Sequence, residues 1–209
     1  MAVVDRLAAR ERSAYLVSEA MGWHVVPLTV LREGPHGLGM VQQWQDPVEQ
    51  GRDPVDVVAA GRVPAGYLHV LDAEDGHGRD VSLVHEDTPA LRRMALFDVV
   101  VNNADRKGGH VLPMADGHRY GVDHGVSFHV EHKLRTVLWG WRGDALHAEE
   151  AAGVDRVRGR LDGDLGLRLA ELLSDDELAA LATRCDRLLR KGVFPGPRGA
   201  MPAFPWPFF

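Results

Sequence analysis

The run from Thr88 to Gly125 limits most strongly what this chain can fold into. Thr88-Pro89 is a helix start, a threonine able to cap followed by a proline at the first helical position. Leu91, Met94, Ala95, Asp98 and Val99 then mark a helix reaching about Val101. A polar loop from Asn102 to His110 follows. A short strand pair across Val111-Leu112 and Arg119-Tyr120-Gly121-Val122 comes next, and the run closes on Asp123-His124-Gly125. An apolar element therefore delivers a loop bearing Asp105. A potential metal ligand, His110, stands five residues after it, and a second aspartate flanked by glycine, Asp123, lies one hairpin further on. Asp98, mid-helix among apolar neighbours, reads equally as a buried partner for the loop or as a residue at the helix edge.

Two carboxylates on loops behind apolar elements are held at a defined separation, which is the layout that phosphoryl transfer requires. One carboxylate accepts or orients the nucleophile's proton. The second, with a neighbouring ligand, holds a divalent ion on the nucleotide phosphates.

The remainder reads as α+β. Residues 3–20 form an amphipathic helix with Leu7, Ala8, Glu11, Ala14, Tyr15 and Val17 near helical spacing, and Gly22 is placed to stop it. Taken alone, Glu11 is a surface helix charge. Val25–Leu31 and Gly39–Trp44 read as two strands across the turn at residues 33–37. Residues 45–87 are polar, dotted with Gly, Pro and Asp, and read as a connecting segment with short elements. Ser174-Asp175-Asp176-Glu177 is a capping box for a helix that ends at Gly192 and carries Cys185 as a structural residue. Trp139 and Trp141 alternate as core residues, and the proline-rich tail from Phe194 packs back through its aromatics.

Composition narrows the function classes. The chain has 209 residues, 45% apolar and 26% charged, enough to bury a core without disulfides. Its single cysteine excludes a disulfide framework and any cysteine-rich zinc or iron–sulfur site. A formal charge of −6 argues against a broad electrostatic grip on nucleic acid. No apolar run approaches the roughly 20 residues of a membrane span, and the N-terminus lacks a signal pattern, so a cytoplasmic protein is expected. Only Lys107, Lys133 and Lys191 are lysines, so a role needing an ammonium group has few candidates.

At these residues the sequence resembles the phosphatidylinositol 3-/4-kinase-like and HipA-like branch of the protein-kinase-like fold, and more closely a group of small actinobacterial proteins of that branch. Asn103-Ala104-Asp105-Arg106-Lys107-Gly108-Gly109-His110 and Asp123-His124-Gly125 stand where the branch has Asn-x-Asp-Arg-His-x-x-Asn and Asp-Phe-Gly. The resemblance runs from about residue 6 into the Pro205-Trp206-Pro207 tail. It implies a largely helical C-lobe, residues 46–209, and a reduced β-containing N-lobe, residues 1–45. It implies Asp105 as catalytic base, Asp123 as principal metal ligand and His110 as the second ligand, with Asn103 beside them. Glu11 would pair with a nucleotide-binding lysine, and Met40-Val41-Gln42-Gln43-Trp44 would be the hinge strand, placing Met40 and Gln42 at the nucleotide.

The branch's glycine-rich strands and phosphate-binding lysine have no counterpart before Glu11 in this sequence, so Arg106 or Lys107 is expected to neutralise phosphate charge. An ATP-dependent phosphotransferase using Mg²⁺ or Mn²⁺ on a hydroxyl acceptor, protein or small molecule, is the leading expectation. His110, an imidazole where the branch has an oxygen ligand, leaves the metal open between the two. One alternative is a non-catalytic, pseudokinase-like nucleotide-binding or regulatory module. Another is a His/Asp metal-dependent hydrolase, which would account for His110, His118, His124, His129 and His132 crowding beside Asp123.

Overall fold

A computed structural model describes residues 6–49, 51–198 and 202–209. The architecture is α+β. Helix α1 spans Arg6–Met21 and stops at Gly22, whose φ of +72° is the left-handed conformation that ends helices. Strands β1 (Thr29–Gly34) and β2 (Gly37–Gln42) form an antiparallel hairpin. A second sheet follows, built from β3 (Val55–Ala59), β4 (Tyr67–Glu74) and β5 (Asp80–Glu86) in the order β3-β5-β4, all antiparallel. Helix α2 (Pro89–Val101) leads into a 3-10 turn at Gly108–His110 and the small hairpin of β6 (Val111–Pro113) and β7 (Arg119–Gly121). Helices α3 (Ala148–Leu161), α4 (Asp164–Ala170) and α5 (Asp175–Lys191) follow.

Local signals explain the helix ends. Thr88 Oγ1 accepts from the Leu91 amide at the start of α2, and Asn102 in the left-handed region (φ +56°) closes it. In α5 the Ser174 hydroxyl and the Glu177 carboxylate satisfy each other's backbone amides, and Gly192 (φ +62°) ends the helix. Nine of the 13 residues of α2 are buried, because the helix runs through the core with α1, α3 and α5 around it. One continuous apolar cluster joins Val17 and Met21 of α1 to Phe97 and Val101 of α2, Val154 and Val157 of α3, Leu169 of α4, and Leu181, Cys185 and Leu188 of α5. Trp139 and Trp141 lie inside it, as their alternation implies. Burial pushes the Cys185 thiol up to about 12, which makes it an inert packing residue. No helix among the described residues is long and apolar enough to cross a membrane.

The structure corrects three readings. The strand expected over Val25–Leu31 begins only at Thr29, since Pro27 has no amide to give a ladder. Val25 and Val26 instead pack in the core, with the Val26 amide donating to Ser18 Oγ and the Gly121 amide donating to Val25 O. The next strand ends at Gln42, leaving Trp44 on the surface at 83% exposure. Residues 45–87 hold the three-stranded sheet rather than short connecting elements. Their polarity misleads because the buried polar groups of the central strand β5 have internal partners. Ser82 donates to Asp72 at 2.6 Å, Glu86 receives Arg119 at 2.7 Å, and His85 Nε2 accepts from the Gly140 amide at 3.0 Å. Helices α3 and α4 lie where no helix was expected.

Candidate active site

The site grows out of the C-terminal half of α2. Asp98 is fully buried there, so its carboxylate needs internal donors, and the following loop supplies them. Asn103 Nδ2 donates to Asp98 Oδ1 at 3.0 Å, and Arg106 donates through Nε to Oδ2 and through Nη2 to Oδ1, both at 2.9 Å. The remaining guanidinium donors hold the second motif. Nη1 donates to His110 O at 3.2 Å and to Val122 O at 3.1 Å, while Nη2 lies 2.6 Å from His124 Nε2. A Cβ on Gly121 would stand 2.9 Å from Arg106 Nη2, so glycine is what lets β7 pass this close to the guanidinium.

Arg106 therefore ties helix, loop, hairpin and the Asp123-His124-Gly125 segment into one unit. This corrects two sequence expectations. Arg106 is completely buried with its donors engaged inside the protein, so it positions the loop and cannot meet a phosphate. Asn103 is likewise buried. One end of its amide donates to Asp98 and the other accepts from the Asp105 amide at 3.0 Å, so it braces the loop rather than binding a cofactor.

The chemistry-bearing groups left at the surface of this scaffold are Asp105, Lys107, His110 and Asp123. Lys107 Nζ stands 3.5 Å from Asp105 Oδ2, and Arg135 Nη2 lies 3.8 Å from Asp105 Oδ1. His110 Nε2 faces Asp123 Oδ2 at 3.5 Å. Burial and the nearby Arg106 charge lower the His110 pKa, against the pull of Asp123 and Asp105, so the ring is neutral near pH 7 and has a lone pair to offer. Its Nδ1 is buried without a hydrogen-bond partner among the described residues. Asp123 sits in the left-handed region at φ +60°, which turns its mostly exposed carboxylate out of the chain path toward His110.

Glu11 belongs to the same unit, contrary to its reading as a surface charge. It is buried, and Oε1 accepts from the His124 amide at 2.6 Å while Oε2 lies 3.8 Å from His124 Nδ1. Burial raises the Glu11 pKa, but the contacts with His124 outweigh it and leave the carboxyl below its ordinary value. Desolvation, followed by the Arg106 charge, lowers the pKa of His124. Met40 and Gln42 are not joined to this unit by any hydrogen bond or ion pair among the described residues. Gln42 Nε2 donates to Thr29 Oγ1 within its own hairpin.

One participant, Arg135, had no sequence signal, and the tail packs back through its aromatics as expected. Arg135, besides facing Asp105, clamps the loop, with Nε donating to Ala104 O at 2.7 Å and its backbone carbonyl accepting from the Arg106 amide at 3.0 Å. The tail reaches back to the loop, where Phe208 O accepts from the Gly108 amide at 2.8 Å and the Phe209 ring fills the space that a Cβ on Gly108 would need. The clustered histidines, by contrast, disperse. His118 bonds the His24 carbonyl, His124 faces Arg106, and His129 Nδ1 accepts from the Glu131 amide. Among the described residues no group of three or more His, Cys, Asp or Glu is gathered so as to hold a metal ion.

Fold and site together define an α+β protein whose polar surface site is assembled from two aspartate-bearing loops on a buried arginine. No protein-family model matches the chain. It is 49% identical over 212 residues to Protein Rv2133c of Mycobacterium tuberculosis (strain ATCC 25618 / H37Rv), a match covering 97% of this chain and 76% of that protein. The chain belongs to the family of Protein Rv2133c.

Proposed function

We propose that this protein is a kinase-like phosphotransferase, related to the phosphatidylinositol 3-/4-kinase-like and HipA-like branch. It would act in the cytoplasm with a nucleotide, ATP, and Mg²⁺ or Mn²⁺ on a hydroxyl acceptor. The observation that carries this reading is the bridge made by Arg106. One buried side chain holds the loop of Asp105 against the segment of Asp123, as two carboxylates sharing one substrate require. The hinge role of Met40 and Gln42 and a lobe boundary near residue 45 belong to the same proposal.

The donor set fits a divalent ion. Asp123 and a neutral His110 already face each other, and one or two protein ligands suffice when phosphate oxygens and waters fill the other positions. The imidazole favours Mn²⁺ more than an all-oxygen set would. The ion and nucleotide would supply charge neutralisation and the phosphoryl group. Asp105 accepts or orients the acceptor's proton, and Arg135 steadies its carboxylate. Lys107, partly exposed, takes the phosphate-neutralising role that Arg106 cannot fill.

A second reading, a nucleotide-binding module without turnover, is favoured by Glu11, whose carboxylate is engaged by His124 rather than by a lysine. A His/Asp hydrolase is disfavoured by the dispersal of the histidines.

Thermal-shift titration with ATP, alone and with Mg²⁺ or Mn²⁺, tests binding, because a ligand of the folded state raises the midpoint. A metal-dependent shift that is lost in Asp123→Asn and kept in Glu131→Gln supports the site. No shift, or equal loss in both variants, overturns it. A metal-dependent shift without release or transfer of phosphate from ATP, in a preparation where Asp105→Asn changes nothing, selects the second reading.

A further inference from the structure

Away from the two aspartate loops, a cavity of about 220 Å³ opens between α5, the end of α2 and residues 193–198. Among the described residues its wall carries Arg184, Arg187, Lys191, Arg198 and His132, and no Asp or Glu. In a chain whose 30 acidic residues outnumber 24 basic ones, this concentration of unneutralised positive charge needs a cause. Among the described residues none of these five side chains has an ion pair with a carboxylate. Asp186, next to Arg187 in sequence, is engaged by Arg158 at 2.8 Å.

Arg184 makes the case strongest. It donates through Nε to Val100 O at 2.8 Å and through Nη1 to His129 O at 3.4 Å, while its Nη2 is buried with no hydrogen-bond partner among the described residues. A guanidinium that gives up hydration without a counter-charge is costly, and its lowered pKa, about 10, reflects that burial. The same desolvation, together with Arg187 and Arg184, lowers the pKa of His132. Arg184, Arg187 and Lys191 follow one another at helical spacing on one face of α5, where like charges repel. Complementing the helix dipole accounts for Lys191 in the last turn. It accounts neither for Arg184, two turns earlier, nor for Arg198 beyond the helix.

We infer that this cavity is a binding site for a compact metabolite carrying two or more phosphate-type negative charges, seated on Arg184, Arg187, Lys191 and Arg198. Planar guanidinium forks match phosphate oxygens in pairs, and four permanent cations in a concave wall suit an anion of more than one charge. Val99, Leu188 and Val193 give the cavity an apolar side for a small organic remainder. Its volume is below the roughly 300–1,000 Å³ of pockets for larger ligands, which sets the scale at pyrophosphate or a small organic phosphate. The site is independent of the proposed phosphotransferase chemistry.

The test is isothermal titration of the full chain with pyrophosphate in buffer containing EDTA, so that no metal–phosphate complex can form at Asp123. Saturable binding at one site is expected, about tenfold or more weaker in Arg187→Gln, the loss of one charge-assisted contact. Binding should be unchanged in Arg190→Gln, a control for general charge on the same helix, and in Asp123→Asn. Arg187 is only half-buried, so its variant folds even if Arg184→Met does not. Absence of binding, or equal weakening in Arg190→Gln, overturns the site. Loss in Asp123→Asn would place pyrophosphate at the other loops and overturn it too. Citrate binding more tightly than pyrophosphate would overturn the phosphate class.

Discussion

Arg106 and Asp98 form a two-pronged ion pair, Nε to Oδ2 and Nη2 to Oδ1 at 2.9 Å each, with both side chains fully excluded from solvent. A pair this deep adds little net stability over apolar packing, but breaking it strands a charge. The energetic weight of the site's scaffold therefore rests on both partners being present.

Asp98→Ala and Arg106→Met are each expected to cost about 3–5 kcal/mol in urea unfolding, with the double variant less destabilised than the sum of the two. Gly121→Ala, which pushes a methyl group to within 2.9 Å of Arg106 Nη2, should be destabilising in the same direction. Additive single and double effects would show that the two residues do not act as a unit.

Asp123 offers a cleaner separation of stability from chemistry. At φ +60° it occupies a conformation that Asn tolerates well and β-branched residues do not. Asp123→Asn should leave the unfolding midpoint within about 0.5 kcal/mol of the parent, whereas Asp123→Val should lose about 1–2 kcal/mol. Equal midpoints for the two variants would mean that the left-handed turn relaxes without strain.

How much of this was legible in the sequence depended on how local the cause was. The start of α2 at Thr88-Pro89, the box at Ser174–Glu177 and the stops at Gly22 and Gly192 each follow from residues within one helical turn. The juxtaposition of His110 and Asp123 was also readable, because one short hairpin separates them. What failed depended on distant partners. Glu11 lies 113 residues from His124, whose amide it binds, and nothing in its own helix announces that. Arg106 reads as a phosphate-neutralising cation in a polar loop, and only its pairing with Asp98, itself ambiguous in sequence, gives it a structural role. Strand β5 looked too polar for a core strand because the groups satisfying Glu86 and His85 come from Arg119 and Gly140.

His85 makes stability fall on the acid side of neutrality. Burial lowers its pKa from 6.5 to about 4, against the smaller upward pull of the Glu86 carbonyl and the Asp87 and Glu86 charges. Well above pH 6.5 the ring is neutral folded or unfolded, so it adds no pH dependence there. Below that, the unfolded chain takes up a proton that the folded chain refuses until about pH 4, so the unfolded state gains. The cost reaches roughly 3 kcal/mol by pH 4 and should appear as a declining unfolding free energy between pH 6.5 and pH 4. His85→Gln should flatten that decline, and a slope unchanged in the variant would assign it to other groups.

Helix α3 contains two glycines whose surroundings predict opposite signs for the same substitution. A Cβ on Gly153 would lie 2.4 Å from Trp23 Cζ2 and 2.7 Å from Cε2, and Trp23 is buried in the core. Gly159, six residues on, has nothing among the described residues within 4 Å of the same position. Alanine is worth up to about 1 kcal/mol more than glycine within a helix, because it leaves less backbone freedom to lose on folding. Gly159→Ala should therefore stabilise by about 0.5–1 kcal/mol. In Gly153→Ala the same propensity gain is offset by overpacking of about 1–3 kcal/mol, giving a net loss. Urea unfolding of the two variants, followed by tryptophan fluorescence, reads both signs at once. A stabilised Gly153→Ala would show that the indole of Trp23 can withdraw from α3.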